Sequence, residues 1–187
     1  VHLISALPDD FEILKESGAF GVACPTSQIL YEKLVSLKSF SRLGNQMTVA
    51  TDCAASNDHF DLLNEAKFLS LLAKNEGISR EVFSAQKLFK MITINPAKAL
   101  GVEGQLGVIK DGALADLVFF NCDLSMQPMM RPLENLFYST NAGHIKHVMV
   151  NGKWSLWNGE PAQVQLADVT VKYNRAVTEV FKRAELK

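Results

Sequence analysis

Asp52 has the sequence position of a residue that does chemistry. It follows the apolar run Met47-Thr48-Val49-Ala50-Thr51 and opens the small-residue loop Cys53-Ala54-Ala55-Ser56-Asn57. A carboxylate at the end of a buried strand can hold a cation or take a proton from water. Ala54 and Ala55 would leave room for a ligand beside it. The same carboxylate could instead cap the helix that follows, and the residues alone leave both roles open. His2 lies at the end of a short apolar stub, where its imidazole is a hydrogen-bonded core group, a ligand or a base. Ser27 falls just past another apolar run, residues 19–24. His144 and His147 are three apart, a spacing that joins two imidazoles on a helix but parts them on a strand. Their strand-like surroundings predict surface residues and not a metal pair. His59, between Asp58 and Asp61, reads as a solvated helix-start residue or a pocket rim. Trp154 and Trp157 flank a hairpin strand and are predicted to pack on opposite faces. There is no phosphate loop, no G-x-G-x-x-G and no G-x-S-x-G elbow.

The elements that must position these groups read as alternating strands and helices. Pro8 opens a helix with Asp9 and Asp10 in its first turn, and Gly18 ends it. Residues 19–24 suit a strand buried on both faces. Leu30, Leu34 and Leu37 have the spacing of one helix, closed by Gly44-Asn45. Residues 47–50 repeat the buried strand, and Leu62, Ala66, Leu69 and Ala73 mark the next helix. Ser79 is the expected cap of a helix reaching about Ile92. Asn95-Pro96 starts a short one that ends at Gly101. This alternation means a parallel sheet, whose chemistry sits at the C-terminal strand ends. His2, Ser27 and Asp52 all fall at or just past such ends.

After Gly104 the texture becomes β-rich and turn-rich. Asn151-Gly152 between two short apolar runs predicts a hairpin. A helix over about 168–184 closes the chain. Composition is that of a folded protein: 187 residues, 48% apolar, 21% charged, net charge -1. The balanced charge argues against nucleic acid or an anionic membrane as partner. No apolar run has the length of a membrane span. Three scattered cysteines (Cys24, Cys53, Cys122) make a disulfide framework unexpected and a reducing, cytoplasmic setting the default.

Six ordered segments carry a resemblance that covers nearly the whole chain. Thr51-Asp52-Cys53-Ala54-Ala55-Ser56-Asn57 resembles the T-D-G-x-A-S-N segment of the amidohydrolase superfamily. Cys24-Pro25-Thr26-Ser27-Gln28 is similar to its C-P-x-S-N, and Glu65 to Leu72 to its E-x-R-x-A-x-L-L. Thr93 to Gly101 is similar to T-x-N-x-A-x-A-L-G. Gly107 to Val118 and Val148 to Lys153 are similar to G-x-I-x-x-G-x-x-A-D-L-V and V-x-V-x-G-K. The nearest branch is the cytosine-deaminase-like one. It includes triazine chlorohydrolases, guanine deaminase, and the deaminases of methylthioadenosine and S-adenosylhomocysteine. Cys53 stands where Gly is usual, Gln28 where Asn is usual, Ala23 where many members carry His, and Lys67 where Arg is usual.

The resemblance implies an α/β fold, the C-terminal portion of a metal-dependent (β/α)8 barrel plus a small β-sandwich domain. Residues 1–103 would be barrel and terminal helices, 104–165 the sandwich, and 166–187 a C-terminal helix. It implies a hydrolase that attacks a C–N or C–Cl bond of a substituted heterocycle. One divalent cation is implied, Zn2+ first and Fe2+ as the alternative, its site completed by upstream residues. Asp52 would be metal ligand and proton acceptor, His2 a hydrogen-bonding catalytic group, and Ser27 and Ser56 substrate contacts. The complete protein is expected to be a homo-oligomer. The alternative is a non-catalytic or incomplete portion that needs an N-terminal half. With Asp52 as its one ligand, the chain alone is expected to hold no stoichiometric metal. The β-module, with core candidates Leu117, Val118, Phe119, Val148 and Val150, is expected to be better protected than the first 75 residues.

Overall fold

The computed structural model describes residues 1–184 and forms two compact units, each built from two stretches of chain. Unit 1 comprises Val1–Leu114 and Cys122–Ala142. Unit 2 comprises Ala115–Asn121 and Gly143 onward. The last three residues of the expected 166–187 segment lie outside the described residues.

A short parallel pair organises unit 1. β1 (Gly21–Ala23) pairs with β2 (Met47–Val49) in the register Gly21↔Met47, Val22↔Thr48, Ala23↔Val49. All three residues of β2 are buried, as its apolar run requires. Pairing runs on past the strands through the Ala50 N–H, which donates to the Ala23 carbonyl at 3.0 Å. On the other side of β1, the His2 N–H donates to the Val22 carbonyl at 2.9 Å. The stub, β1 and β2 therefore bring three chain ends together.

Helices cover this pair. α1 (Pro8–Glu16) starts on Pro8, with the Leu7 N–H donating to Asp10 Oδ2, and buries Phe11. α2 (Pro25–Tyr31) is shorter than the leucine spacing predicted. Residues 32–36 are not helical, and α3 (Leu37–Phe40) begins afresh on a Ser36 cap. Of the three spaced leucines only Leu37, the first residue of α3, is buried; Leu30 is exposed, and Val35, off that spacing, is buried from the irregular segment instead. α4 (Leu62–Asn75) is capped by Asp61, whose Oδ1 accepts the Asn64 N–H. That removes the capping role left open for Asp52.

α5 (Ala85–Ile92) begins six residues after Ser79, because Ser79 closes a turn in which Val82 donates to its carbonyl. Asn95 is not the cap of α6 (Ile94–Ala99) but lies inside it, buried, with Nδ2 donating to the Met47 carbonyl at 2.7 Å. Gly107 has φ +73°, and a Cβ there would stand 2.5 Å from the Thr93 carbonyl oxygen. Only glycine lets this loop close on the α5–α6 junction. The interior of unit 1 is continuous, with Phe11, Phe40, Leu69 and Leu88 at its centre. Phe137 of α7 (Pro132–Tyr138) completes it.

Unit 2 is a four-stranded antiparallel sheet in the order β3 (Leu117–Phe120), β4 (Ile145–Val150), β5 (Lys153–Trp157), β6 (Glu160–Pro161). The predicted hairpin is present, with Asn151 and Gly152 both at positive φ as a type I′ turn demands. The β4–β5 register shifts between Val148 and Met149. That bulge alters the alternation, so Trp154 and Trp157 share a face, ring centres 4.6 Å apart, contrary to the sequence expectation. α8 (Leu166–Arg183) follows and buries none of its residues. The expected core of this module is also corrected: Leu117 and Val148 are half-buried, and Val118, Phe119 and Val150 are exposed. Among the described residues unit 2 has this one sheet. No described helix is long and apolar enough to cross a membrane.

Candidate functional site

Three segments converge where the parallel pair ends. The stub brings His2, the end of β1 brings Cys24, and the end of β2 brings Asp52. A side-chain nitrogen of His2, the Cys24 sulfur and an Asp52 carboxylate oxygen all lie within 4.8 Å of one another. His2 Nε2 is 3.5 Å from Asp52 Oδ2. Cys24 is fully buried, while the His2 and Asp52 side chains are 39% and 27% exposed. The cluster therefore has a dry floor and an open side.

The backbone turns sharply to make this possible. Asp52 has φ +66°, and His2 and Leu3 have φ +68° and +56°. Asp tolerates the left-handed region better than most residues, because its short polar side chain can bond locally. Here Asp52 Oδ1 accepts the Cys53 N–H at 2.8 Å, and Oδ2 accepts the Ser27 hydroxyl at 2.7 Å. These bonds, Ser27 first, hold the Asp52 carboxyl below the ordinary carboxylate range. Burial pushes the Cys24 thiol up to about 11, with the Asp52 charge adding to it. At neutral pH the cluster holds a carboxylate against a protonated thiol.

Gln28 ties two of the segments together. Its Oε1 accepts the Cys24 N–H and its Nε2 donates to the His2 carbonyl, both at 3.0 Å. Glu65, wholly buried on α4, ties the other two loops. Its Oε2 accepts the Thr26 N–H and its Oε1 accepts Asn57 Nδ2, each at 3.0 Å. Asn57 Nδ2 also donates to the Thr51 carbonyl at 2.7 Å. One carboxylate thus braces both the α2 start, which carries Ser27, and the loop that carries Asp52.

Sequence reasoning brought His2, Ser27 and Asp52 to one place, and the structure does the same. Ser27, expected at the substrate, is buried and spends its hydroxyl proton on Asp52. Ser56 folds back on its own loop, its hydroxyl donating to the Cys53 carbonyl at 3.2 Å. Cys24, Gln28 and Glu65 were not singled out as site residues. Glu65 had a readable signal: an acid on the helix face that Leu62, Ala66 and Leu69 define as apolar. His144 is buried in the turn before β4, and His147 packs against Trp157 with ring centres 4.1 Å apart. A groove of about 340 Å³ lined by Thr26, His59, Asn64, Lys67, Phe68 and Leu71 includes none of the three clustered residues.

Residues 1–155 match the amidohydrolase family.

The chain belongs to that family. It is 36% identical over 149 residues to 5-methylthioadenosine/S-adenosylhomocysteine deaminase 1 of Archaeoglobus fulgidus, covering 77% of this chain and 34% of that protein. It is 32% identical over 178 residues to 5-methylthioadenosine/S-adenosylhomocysteine deaminase of Pyrococcus furiosus, covering 94% and 42%. The chain therefore spans well under half the length of these curated relatives. Among solved structures, an adenosine deaminase from Xanthomonas campestris with bound zinc superposes with TM-score 0.89 at 24% identity, covering 97% of this chain and 42% of that one. A zinc complex of atrazine chlorohydrolase from Arthrobacter aurescens gives 0.81 at 21% identity, covering 93% and 39%. The fold is that of the amidohydrolase superfamily, of mixed α and β content.

The residues present fit a divalent transition-metal ion. One imidazole, one thiol and one carboxylate converge on a point open to solvent on one side, a donor set of the kind Zn2+ takes.

Proposed function

We propose that this chain is part of a metal-dependent hydrolase that replaces the amino group of a nitrogen heterocycle with oxygen from water. The observation that carries the reading is Asp52, held ionised by Ser27 and the Cys53 N–H beside His2 at the end of β2. Asp52 would hold the cation through one carboxylate oxygen, with Zn2+ the first choice and Fe2+ the alternative. Such a cation supplies Lewis acidity, which lowers the pKa of water from about 15.7 to about 7. Asp52 accepts the proton that water gives up as its oxygen bonds the ring carbon. It returns that proton to the nitrogen as the C–N bond breaks and ammonia leaves. His2 hydrogen-bonds the entering oxygen or the ring. Ser27 fixes the carboxylate, and Ser56, on the Asp52 loop, would contact substrate.

The names of the relatives support an aminopurine nucleoside as substrate class, with a chloro-substituted triazine as the related case. Cys53, in place of the usual Gly, would lie near the ring and adjust which one fits, whereas Ala23, in place of the usual His, is packed in the core. The active protein is proposed to be a homo-oligomer. The length of the relatives favours a second reading, in which catalysis needs an N-terminal half besides these residues.

The test is Asp52→Asn in the protein that carries this segment, assayed by ammonia release from aminopurine nucleosides. We expect kcat to fall about 10²-fold or more with KM little changed. Near-normal kcat would remove Asp52 from the reaction. The lowered carboxyl pKa also sets a pH expectation. Because Asp52 must be ionised, the acid limb of kcat/KM falls below the ordinary carboxylate value of about 3.9.

A further inference from the structure

We propose that Glu65 is a positioning residue for the reaction, holding Ser27 and Asp52 at the spacing that keeps the Asp52 carboxylate in place. The inference rests on the role given to Asp52 under the proposed function, and extends the structural brace to a kinetic one.

The contacts of Glu65 converge on a single bond. Ser27 Oγ donates to Asp52 Oδ2 at 2.7 Å, and its two ends sit on different segments, 25 residues apart. The Ser27 end rides on the first turn of α2, where Cys24 at the cap position gives no side-chain bond. Glu65 supplies the missing acceptor from α4, its Oε2 taking the Thr26 N–H beside Ser27. The Asp52 end follows Thr51, whose carbonyl accepts Asn57 Nδ2, and the same nitrogen donates to Glu65 Oε1. One carboxylate therefore gauges both ends. Asp52 stands at φ +66°, a conformation that persists only where its surroundings hold it. His59 lies on the third side. Its Nδ1 accepts the Asp61 N–H, so a ring proton lies on Nε2, 3.8 Å from Glu65 Oε1. Packing does not call for an acid at this place. Glu65 is wholly buried, on the α4 face it shares with Ala66 and Leu69. An apolar side chain of that size would fill the space without the desolvation that a buried carboxylate costs. Among the described residues its hydrogen bonds go to Thr26 and Asn57 and none to Asp52, so its effect on the reaction is indirect.

Steady-state kinetics of Glu65→Gln in the protein that carries this segment tests this, with ammonia release from adenosine and S-adenosylhomocysteine as the readout. Gln keeps the volume but turns an amide NH2 towards an N–H donor. We expect kcat to fall about 10–100-fold with KM within about twofold. In an Asp52→Asn background the same change should add less than about threefold, because the group it positions is already gone. Hydrogen exchange gives a readout apart from activity. The Cys53 N–H donates to Asp52 Oδ1 and not to Glu65, and in Glu65→Gln it should exchange about threefold faster or more. The Leu88 N–H, inside α5, should be unchanged. Asn57→Ser cuts the loop strap alone and should lower kcat about tenfold with the same non-additivity, which carries the test if Glu65→Gln does not fold. Normal kcat in either folded variant, or losses that simply add to that of Asp52→Asn, overturns the proposal and leaves Glu65 a stabilising group. Failure of both variants to fold overturns it as well. A large loss in Asp52→Asn with none in Glu65→Gln removes this proposal alone. Near-normal kcat in Asp52→Asn, or no ammonia from the unmutated protein, removes the hydrolase reading and this proposal with it.

Discussion

α4 and α8 are both amphipathic helices, of 14 and 18 residues, yet α4 buries five side chains and α8 buries none. The contrast extends to the units that contain them. Unit 1 gathers Phe11, Phe40, Leu69, Leu88 and Phe137 into one interior. Among the described residues of unit 2 the one buried residue is His144, and the sheet's aromatic residues lie half-open. Periodicity fixes which face of a helix is apolar, but burial needs a second surface to meet it. The unit that carries the candidate site is therefore the one with a buried interior, whereas the residues expected to form the β-module's core are half-buried or exposed.

The largest expected effect breaks or confirms this contrast directly. Leu69→Ala opens a cavity in the unit 1 interior and should cost about 2–5 kcal/mol by urea denaturation. Val180→Ala, on the exposed face of α8, should stay within about 0.5 kcal/mol. Equal losses would mean that α8 is covered in solution.

A polar pair sharpens the contrast at smaller scale. Glu65→Ala leaves the Thr26 N–H without its acceptor and Asn57 Nδ2 with only the Thr51 carbonyl, at about 1–3 kcal/mol for each bond lost. Asp116→Ala removes an exposed bond from the Asn151 N–H and should cost about 1 kcal/mol or less. Denaturation midpoints of both variants check this, and equal shifts would contradict the brace assigned to Glu65.

The smallest effect is the response to alkali. The Cys24 pKa is raised from 9.0 to about 11 in the folded chain, so its contribution to stability is complete below about 9. That contribution is lost as pH rises through about 11, because the unfolded chain ionises the thiol more readily. Cys53, exposed, has its pKa lowered, chiefly by the Ser56 hydroxyl, and should react with a thiol reagent well before Cys24. Cys24→Ala should flatten the alkaline fall in denaturation midpoint relative to the unmutated chain. An unchanged slope would mean that the floor of the site is wet.

Much of unit 1 was legible because its strands are apolar on both faces and its helices begin on Pro or Asp. The loop around Asp52 was legible for the same reason: a polar turn after a buried strand has few other uses. The misreadings have specific causes. Leu30, Leu34 and Leu37 fit a helix, but Leu30 is exposed and Val35, off that spacing, reaches the interior from an irregular segment. Trp154 and Trp157 fit alternation, but a bulge resets the faces, and bulges leave little trace in residue order. Cys24 stood inside a motif without revealing its partners, since they arrive through pairing with segments far along the chain. Glu65 was visible as a misplaced acid, and only the fold shows which two loops it serves.

The parallel pairing of β1 and β2 also bears on the order in which the chain folds. Parallel neighbours cannot be joined by a tight turn, so α2, α3 and the 3-10 segment Ser41–Gln46 must all be spanned before Gly21 meets Met47. The Ser27–Asp52 hydrogen bond bridges 25 residues and can form only after that loop closes. Loop-closure entropy rises slowly with length, by about 0.6 kcal/mol per doubling, but it falls due before any contact across the loop can offset it. Local helices such as α4 can form early, whereas the cluster of His2, Cys24 and Asp52 has no local nucleus. It comes into being only when the N-terminal stub, the end of β1 and the end of β2 have met, which makes the site a late reporter of correct folding.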